Sequence, residues 1–146
     1  MREVRRSAIL PCSAGRLYAL VADVRRYPQF LPWCTAARVL AEDGEFMTVA
    51  LDLQRGLVRT SFTTRNRLVP ERSVEMRLVD GPFAALEGRW DFAPITDAGT
   101  RANLLVRFET RGLLGSLTLG PAFERICSEL VDAFARRARQ LHAHVG

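Results

Sequence analysis

Hydrophobic and polar residues alternate with a period of two over most of residues 36–111, and apolar residues recur at three and four on either side of that region. EVRRSAIL (3–10) reads as a first strand that Pro11 ends. Ser13 offers a helix N-cap, and Leu17, Leu20, Val21 and Val24 follow at helical spacing, which predicts a short amphipathic helix over 14–24. In FMTVALDL (46–53), Met47, Val49, Leu51 and Leu53 share one face. In SVEMRLVD (73–80), Val74, Met76 and Leu78 do so, with Glu75 and Arg77 opposite. LEGRWDF (86–92) sets Leu86, Gly88, Trp90 and Phe92 against Glu87, Arg89 and Asp91. RANLLVRFETR (101–111) sets Ala102, Leu104, Val106 and Phe108 against Arg101, Asn103, Arg107 and Glu109. One apolar and one charged face, strand after strand, is the pattern of an antiparallel sheet wet on one side. Glu42-Asp43-Gly44, Pro70-Glu71 and Asp97-Ala98-Gly99 supply the turns. At the C-terminus, Phe123, Ile126, Cys127, Leu130, Val131, Phe134, Ala138 and Leu141 make one apolar helix face. A helix beginning near Leu114 and kinked at Gly120-Pro121 is expected, rather than one beginning at Pro121.

These elements predict an α+β fold with two short helices after the first strand. About six to seven strands exceed what one flat sheet holds without curling, and the long C-terminal helix is the element able to cover the apolar face. A sheet wrapped around a single helix leaves a cavity between them. The chain has 146 residues, which suits one domain over 1–146.

Charge changes this picture little. The net charge is +5 and the pI is near 10, and every one of the 21 cationic residues is Arg, a composition that fits a GC-rich coding bias. The arginines are spread along the chain, which argues against a DNA-reading surface. Cys12, Cys34 and Cys127 form no CxxC pair and no disulfide framework, so reduced thiols and a cytoplasmic protein are expected. The basic start of the chain is followed by Pro11 and Arg16, which break any signal-peptide core.

Candidate chemistry is sparse. The two histidines, His142 and His144, both lie in the last five residues, where a general base or metal ligand is poorly held. Hydrolase, zincin, Walker and dinucleotide fingerprints are absent, so no catalytic residue and no metal ligand is assigned and a non-enzyme is expected. In RTSFTTRNRL (59–68), an inward Phe62 and Leu68 bring Thr60, Thr64 and Asn66 inward with them. That row is either ordinary strand packing with Asn66 near an edge, or the wall of an apolar site with a few polar contacts. DGPF (80–83) is a turn whose Phe83 reads as a hairpin residue or as part of a rim. YPQFLPWC (27–34) crowds three aromatics and two prolines into a connection, where polar residues are the rule. Its prolines hold a single turn. Tyr27, Phe30 and Trp33, three apart, act either as a plug on the core or as a lid over the cavity mouth, with Trp90 on the wall.

YPQFLPWC, FTTRN and LVDGPF together, in this order, resemble the coenzyme-Q-binding and ribosome-association-toxin family of the polyketide cyclase and START-like superfamily, over roughly residues 3–142. The resemblance implies a helix-grip fold with an apolar tunnel. It implies that no cofactor is required and that the ligand is ubiquinone or a similar isoprenoid quinone or lipid, bound in support of respiratory electron transfer. Tyr27, Phe30, Trp33, Phe62, Thr64, Phe83, Trp90, Phe123, Ile126, Leu130 and Phe134 are the residues expected to line it. It also implies a second role found among bacterial relatives, binding to the large ribosomal subunit and blocking subunit joining. A cytoplasmic protein, with contact at the inner membrane surface, is the corresponding expectation.

Overall fold

In the computed structural model, which describes residues 1–145 with side chains through Leu141, seven strands form one antiparallel sheet. They are β1 (Arg2–Leu10), β2 (Cys34–Asp43), β3 (Phe46–Arg55), β4 (Val58–Val69), β5 (Ser73–Asp80), β6 (Phe83–Thr96) and β7 (Gly99–Thr110). The order across the sheet is β1-β7-β6-β5-β4-β3-β2, so β2 to β7 form an unbroken meander and β1 closes onto β7. The alternation read from the sequence holds throughout. Val49, Leu53, Val74, Trp90, Leu104 and Phe108 are buried on the concave face. On the convex face, Arg38 pairs with Asp52, Arg67 with Glu45 and Arg107 with Glu87, and Arg89 bridges Glu75 and Asp91.

The sheet curls because its strands carry register shifts. They fall between Cys34 and Ala36, Val39 and Ala41, Thr63 and Thr64, Phe83 and Ala85, and Pro94 and Thr96. Each extra residue bends its strand and increases the local twist. The hollow this produces is filled by α3 (Leu119–Val145), which packs chiefly against β1 and β7. This is the expected α+β helix-grip architecture, with the short helices inserted between β1 and β2.

Two boundaries differ from the sequence expectation. Ser13 caps α1 (Ala14–Ala22) through a bond from the Arg16 N–H at 3.3 Å, but the helix stops two residues short of Val24. A 3₁₀ turn, Val24–Gln29, takes over. Pro28 lies inside it and has no N–H to give to the Val24 carbonyl, so an α-helix cannot run through this segment. At the other end of the chain, α2 (Gly112–Leu117) and α3 are separate helices broken at Thr118, whose φ and ψ are −110° and −68°. The kink expected at Gly120-Pro121 is absent. Pro121 falls in the first turn of α3, where an N–H would have no helical acceptor and its loss costs nothing. α2 buries none of its residues. No described helix is long and apolar enough to cross a membrane.

Candidate functional site: an apolar cavity under the long helix

Two aromatic groups occupy the space between sheet and helix. Phe83, Phe108 and Phe62 surround Phe123, with ring centroids 4.9, 4.8 and 5.6 Å from it. Further along α3, Trp90 and Tyr27 meet Phe134 edge-on at 5.3 and 5.5 Å. A cavity of about 90 Å³ lies where residues from both groups converge.

Of the eleven residues expected to line a ligand tunnel, nine line this cavity: Phe62, Thr64 and Trp90 from the sheet, Tyr27 and Trp33 from the connection before β2, and Phe123, Ile126, Leu130 and Phe134 from α3. Phe83 does not. It is fully buried behind Phe62 and Phe123, because the β5–β6 turn directs it into the core rather than to a rim. Phe30 does not either. It packs 5.2 Å from Phe134 on the outer side, with the Arg137 guanidinium 5.2 Å above its ring. Of the three aromatics, Tyr27 and Trp33 therefore face the cavity and Phe30 does not, since the 3₁₀ turn ends at Gln29 and Phe30 no longer follows its spacing.

The same period-two reading could have added Val49, Leu51, Leu53, Met76, Leu86, Gly88 and Val106, all inward-facing strand positions that line the cavity. Val24 and Cys127, both on the apolar faces read from helical spacing, also line the wall, and Leu31 and Cys34 do so without any signal beyond general apolarity. Asn66 also reaches it, from a strand interior to the sheet between β3 and β5, not from an edge. Thr64 and Asn66 are each 4% exposed, and the Thr64 hydroxyl donates to Asn66 Oδ1 at 2.8 Å.

The wall carries no formal charge. None of its residues is Asp, Glu, His, Lys or Arg. Burial pushes the Tyr27 phenol far above its ordinary range, with Cys34 and Asp23 adding to the shift, and the phenol donates to the Val21 carbonyl. Burial pushes the Cys34 thiol up to about 11 and the Cys127 thiol higher still. All three groups are neutral near pH 7. Among the described residues, no group of three or more His, Cys, Asp or Glu could hold a metal ion; the side chains of His142 and His144 lie outside the described residues.

The family model for "Polyketide cyclase / dehydrase and lipid transport" matches residues 10–135, which take in β2 to β7 and the first part of α3 but only the last residue of β1. The chain belongs to this family. The expected kinship with its coenzyme-Q-binding and ribosome-association-toxin members also holds. A Pseudomonas aeruginosa protein named ribosome association toxin RatA is 45% identical over 139 residues, covering 95% of this chain and 96% of that protein. A Xenopus laevis protein named mitochondrial coenzyme Q-binding protein COQ10 homolog B is 28% identical, over 96% of this chain and 59% of that protein. The crystal structure of the Zhui aromatase/cyclase from Streptomyces sp. R1128 superposes with a TM-score of 0.85 over 95% of this chain and 94% of that one, at 21% identity. That likeness concerns the fold alone.

Proposed function

We propose that this chain binds a lipophilic ring compound of the isoprenoid quinone class in the cavity under α3, as a carrier supporting respiratory electron transfer and not as an enzyme. The observation that carries the reading is the wall itself, made almost wholly of aliphatic and aromatic side chains and interrupted by one buried polar pair, Thr64 and Asn66. Ligand sites for small molecules have this composition. The absence of a charged group from the wall leaves no obvious acid or base, which favours carriage over chemistry. The similarity to a protein named for coenzyme Q binding agrees.

At about 90 Å³ the cavity is smaller than pockets that enclose a whole ligand, which run from about 300 to 1,000 Å³. Entry therefore requires wall residues to move. Leu51 and Leu130 are only half-buried, and the bidentate pair from Arg55 to Glu129, at 2.8 and 3.0 Å, ties the end of β3 to α3 one residue before Leu130.

Titration with a short-chain benzoquinone tests the proposal. Trp33 and Trp90, the two tryptophans of the chain, both line the cavity. Saturable quenching is expected, with Trp33→Phe and Trp90→Phe each removing part of it. Quenching that grows linearly with quinone and ignores both substitutions would contradict the reading.

A second reading has its own support. The 45% identity to a protein named as a ribosome association toxin favours association with the ribosome, for which the large subunit is the proposed contact. A net charge of +5 suits contact with RNA. Co-sedimentation with ribosomal subunits tests it directly.

A further inference from the structure

Thr64 and Asn66 sit two apart on β4, so both side chains project from the same face into the cavity, and both are 4% exposed. Their cross-strand partners are Val49 and Leu78 for Thr64, and Met47 and Met76 for Asn66, none of which brings a side-chain hydrogen-bond acceptor of any strength. The Thr64 hydroxyl donates to Asn66 Oδ1. With the hydroxyl donating, the carboxamide oxygen faces Thr64, and its nitrogen, with two N–H groups, makes no hydrogen bond among the described residues and borders the cavity rather than being enclosed by protein atoms. A donor that faces an apolar hollow gives up hydrogen bonds it would make to bulk water, and an apolar side chain of the same size would not carry that cost. Packing alone gives no reason for an amide here.

We propose that the Asn66 carboxamide, oriented by Thr64, selects the ligand by donating an N–H to an acceptor oxygen on its ring, as a quinone carbonyl would provide. The inference rests on the reading that the cavity takes a lipophilic ring compound, and it adds what distinguishes one such compound from another. A ring that offers an acceptor oxygen completes the amide. A hydrocarbon ring of the same shape leaves the N–H groups unmatched and is rejected, because sites built around a buried donor discriminate strongly against ligands that lack its partner.

Calorimetric titration of a short-chain benzoquinone and of the matching alkylbenzene without ring oxygens, against the wild-type chain, Asn66→Leu and Thr64→Val, tests this. The wild-type chain is expected to bind the quinone about ten-fold or more tightly than the hydrocarbon. Asn66→Leu is expected to bind the two alike, with a melting temperature equal to or above the wild type's. Thr64→Val, which frees the amide to rotate, is expected to reduce the preference in part. The inference is overturned if Asn66→Leu keeps the preference, or if it lowers the melting temperature and weakens both ligands equally, as a purely structural residue would. Should Asn66→Leu not fold, an undiminished preference in Thr64→Val overturns it. A wild-type chain that binds both ligands equally also overturns it while leaving the lipophilic pocket standing; one that binds neither overturns the pocket as well.

Discussion

Gly81 has a φ of +151°, and a Cβ at that position would meet the Phe62 Cβ at 2.7 Å. Both the backbone conformation and the close approach require glycine in the β5–β6 turn. Gly81→Ala is expected to cost about 1–3 kcal/mol, read from a urea midpoint; an unchanged midpoint would show that the turn relaxes freely. Cys34 gives a second residue-level expectation. Its thiol is pushed from 9.0 up to about 11, by burial first and by Asp52 in addition. Between those two values the unfolded chain releases the proton before the folded chain does. The unfolded state then binds fewer protons, so stability falls as pH rises through this window, and below it the group contributes nothing. Urea midpoints at about pH 8 and about pH 10.5 should show that fall, and Cys34→Ala should make it shallower. An identical slope in the variant would remove Cys34 from the account. At this scale the inward row of Thr64 and Asn66 was legible, because a period of two places them with Phe62. Cys34 was not. A lone thiol carries no pattern, and only its position at the start of β2, beside Leu53, brings it to the wall.

Among the elements, α3 contributes the most to both core and cavity. Phe134 is 1% exposed and touches Tyr27, Phe30 and Trp90. Phe134→Ala should cost about 3–5 kcal/mol. Phe30→Ala, on a half-buried ring outside the cavity, should cost less than half as much and leave ligand affinity nearly unchanged. Equal losses in the two variants, measured by chemical denaturation, would make the segment around Phe30 part of the core rather than a cover. The Arg55–Glu129 pair is partly exposed, at 30% and 42%, so breaking it should cost at most about 1 kcal/mol. Arg55→Ala should nonetheless speed ligand association in stopped-flow fluorescence if β3 and α3 part to admit the ligand; an unaltered rate would place the entry elsewhere. The amphipathic face of α3 was legible from its three-and-four spacing, whereas its start was not. Gly120-Pro121 looked like a kink because proline disrupts helix interiors, but in the first turn of a helix proline disrupts nothing. A second short helix after β1 was legible, but its start was not: Val24 continues the helical spacing of α1, and the hydrogen-bond pattern changes before the apolar pattern does.

For the whole molecule, the fold followed from two periodicities, two along each strand and 3.6 along one long helix, together with the need to cover a single apolar face. What the periodicities could not supply is the size of the hollow. That depends on register shifts and on Gly88, where a Cβ would come within 2.7 Å of Met76 Cε, and neither is encoded as a repeating pattern. Charge operates at this scale too. If the chain associates with ribosomal subunits, its +5 charge should make co-sedimentation fall steeply across a salt series; salt-insensitive binding would mean a contact made through other forces. The claim on which the account rests is that the hollow holds a quinone-class lipid. Purification under non-denaturing conditions, followed by solvent extraction and mass spectrometry, tests it most directly when the wild-type chain is run beside Gly88→Leu, whose side chain would fill the cavity from β6. The account predicts an isoprenoid quinone carried by the wild-type chain and depleted in a folded Gly88→Leu. A wild-type chain with no bound lipid, or the same lipids in both proteins, would contradict it.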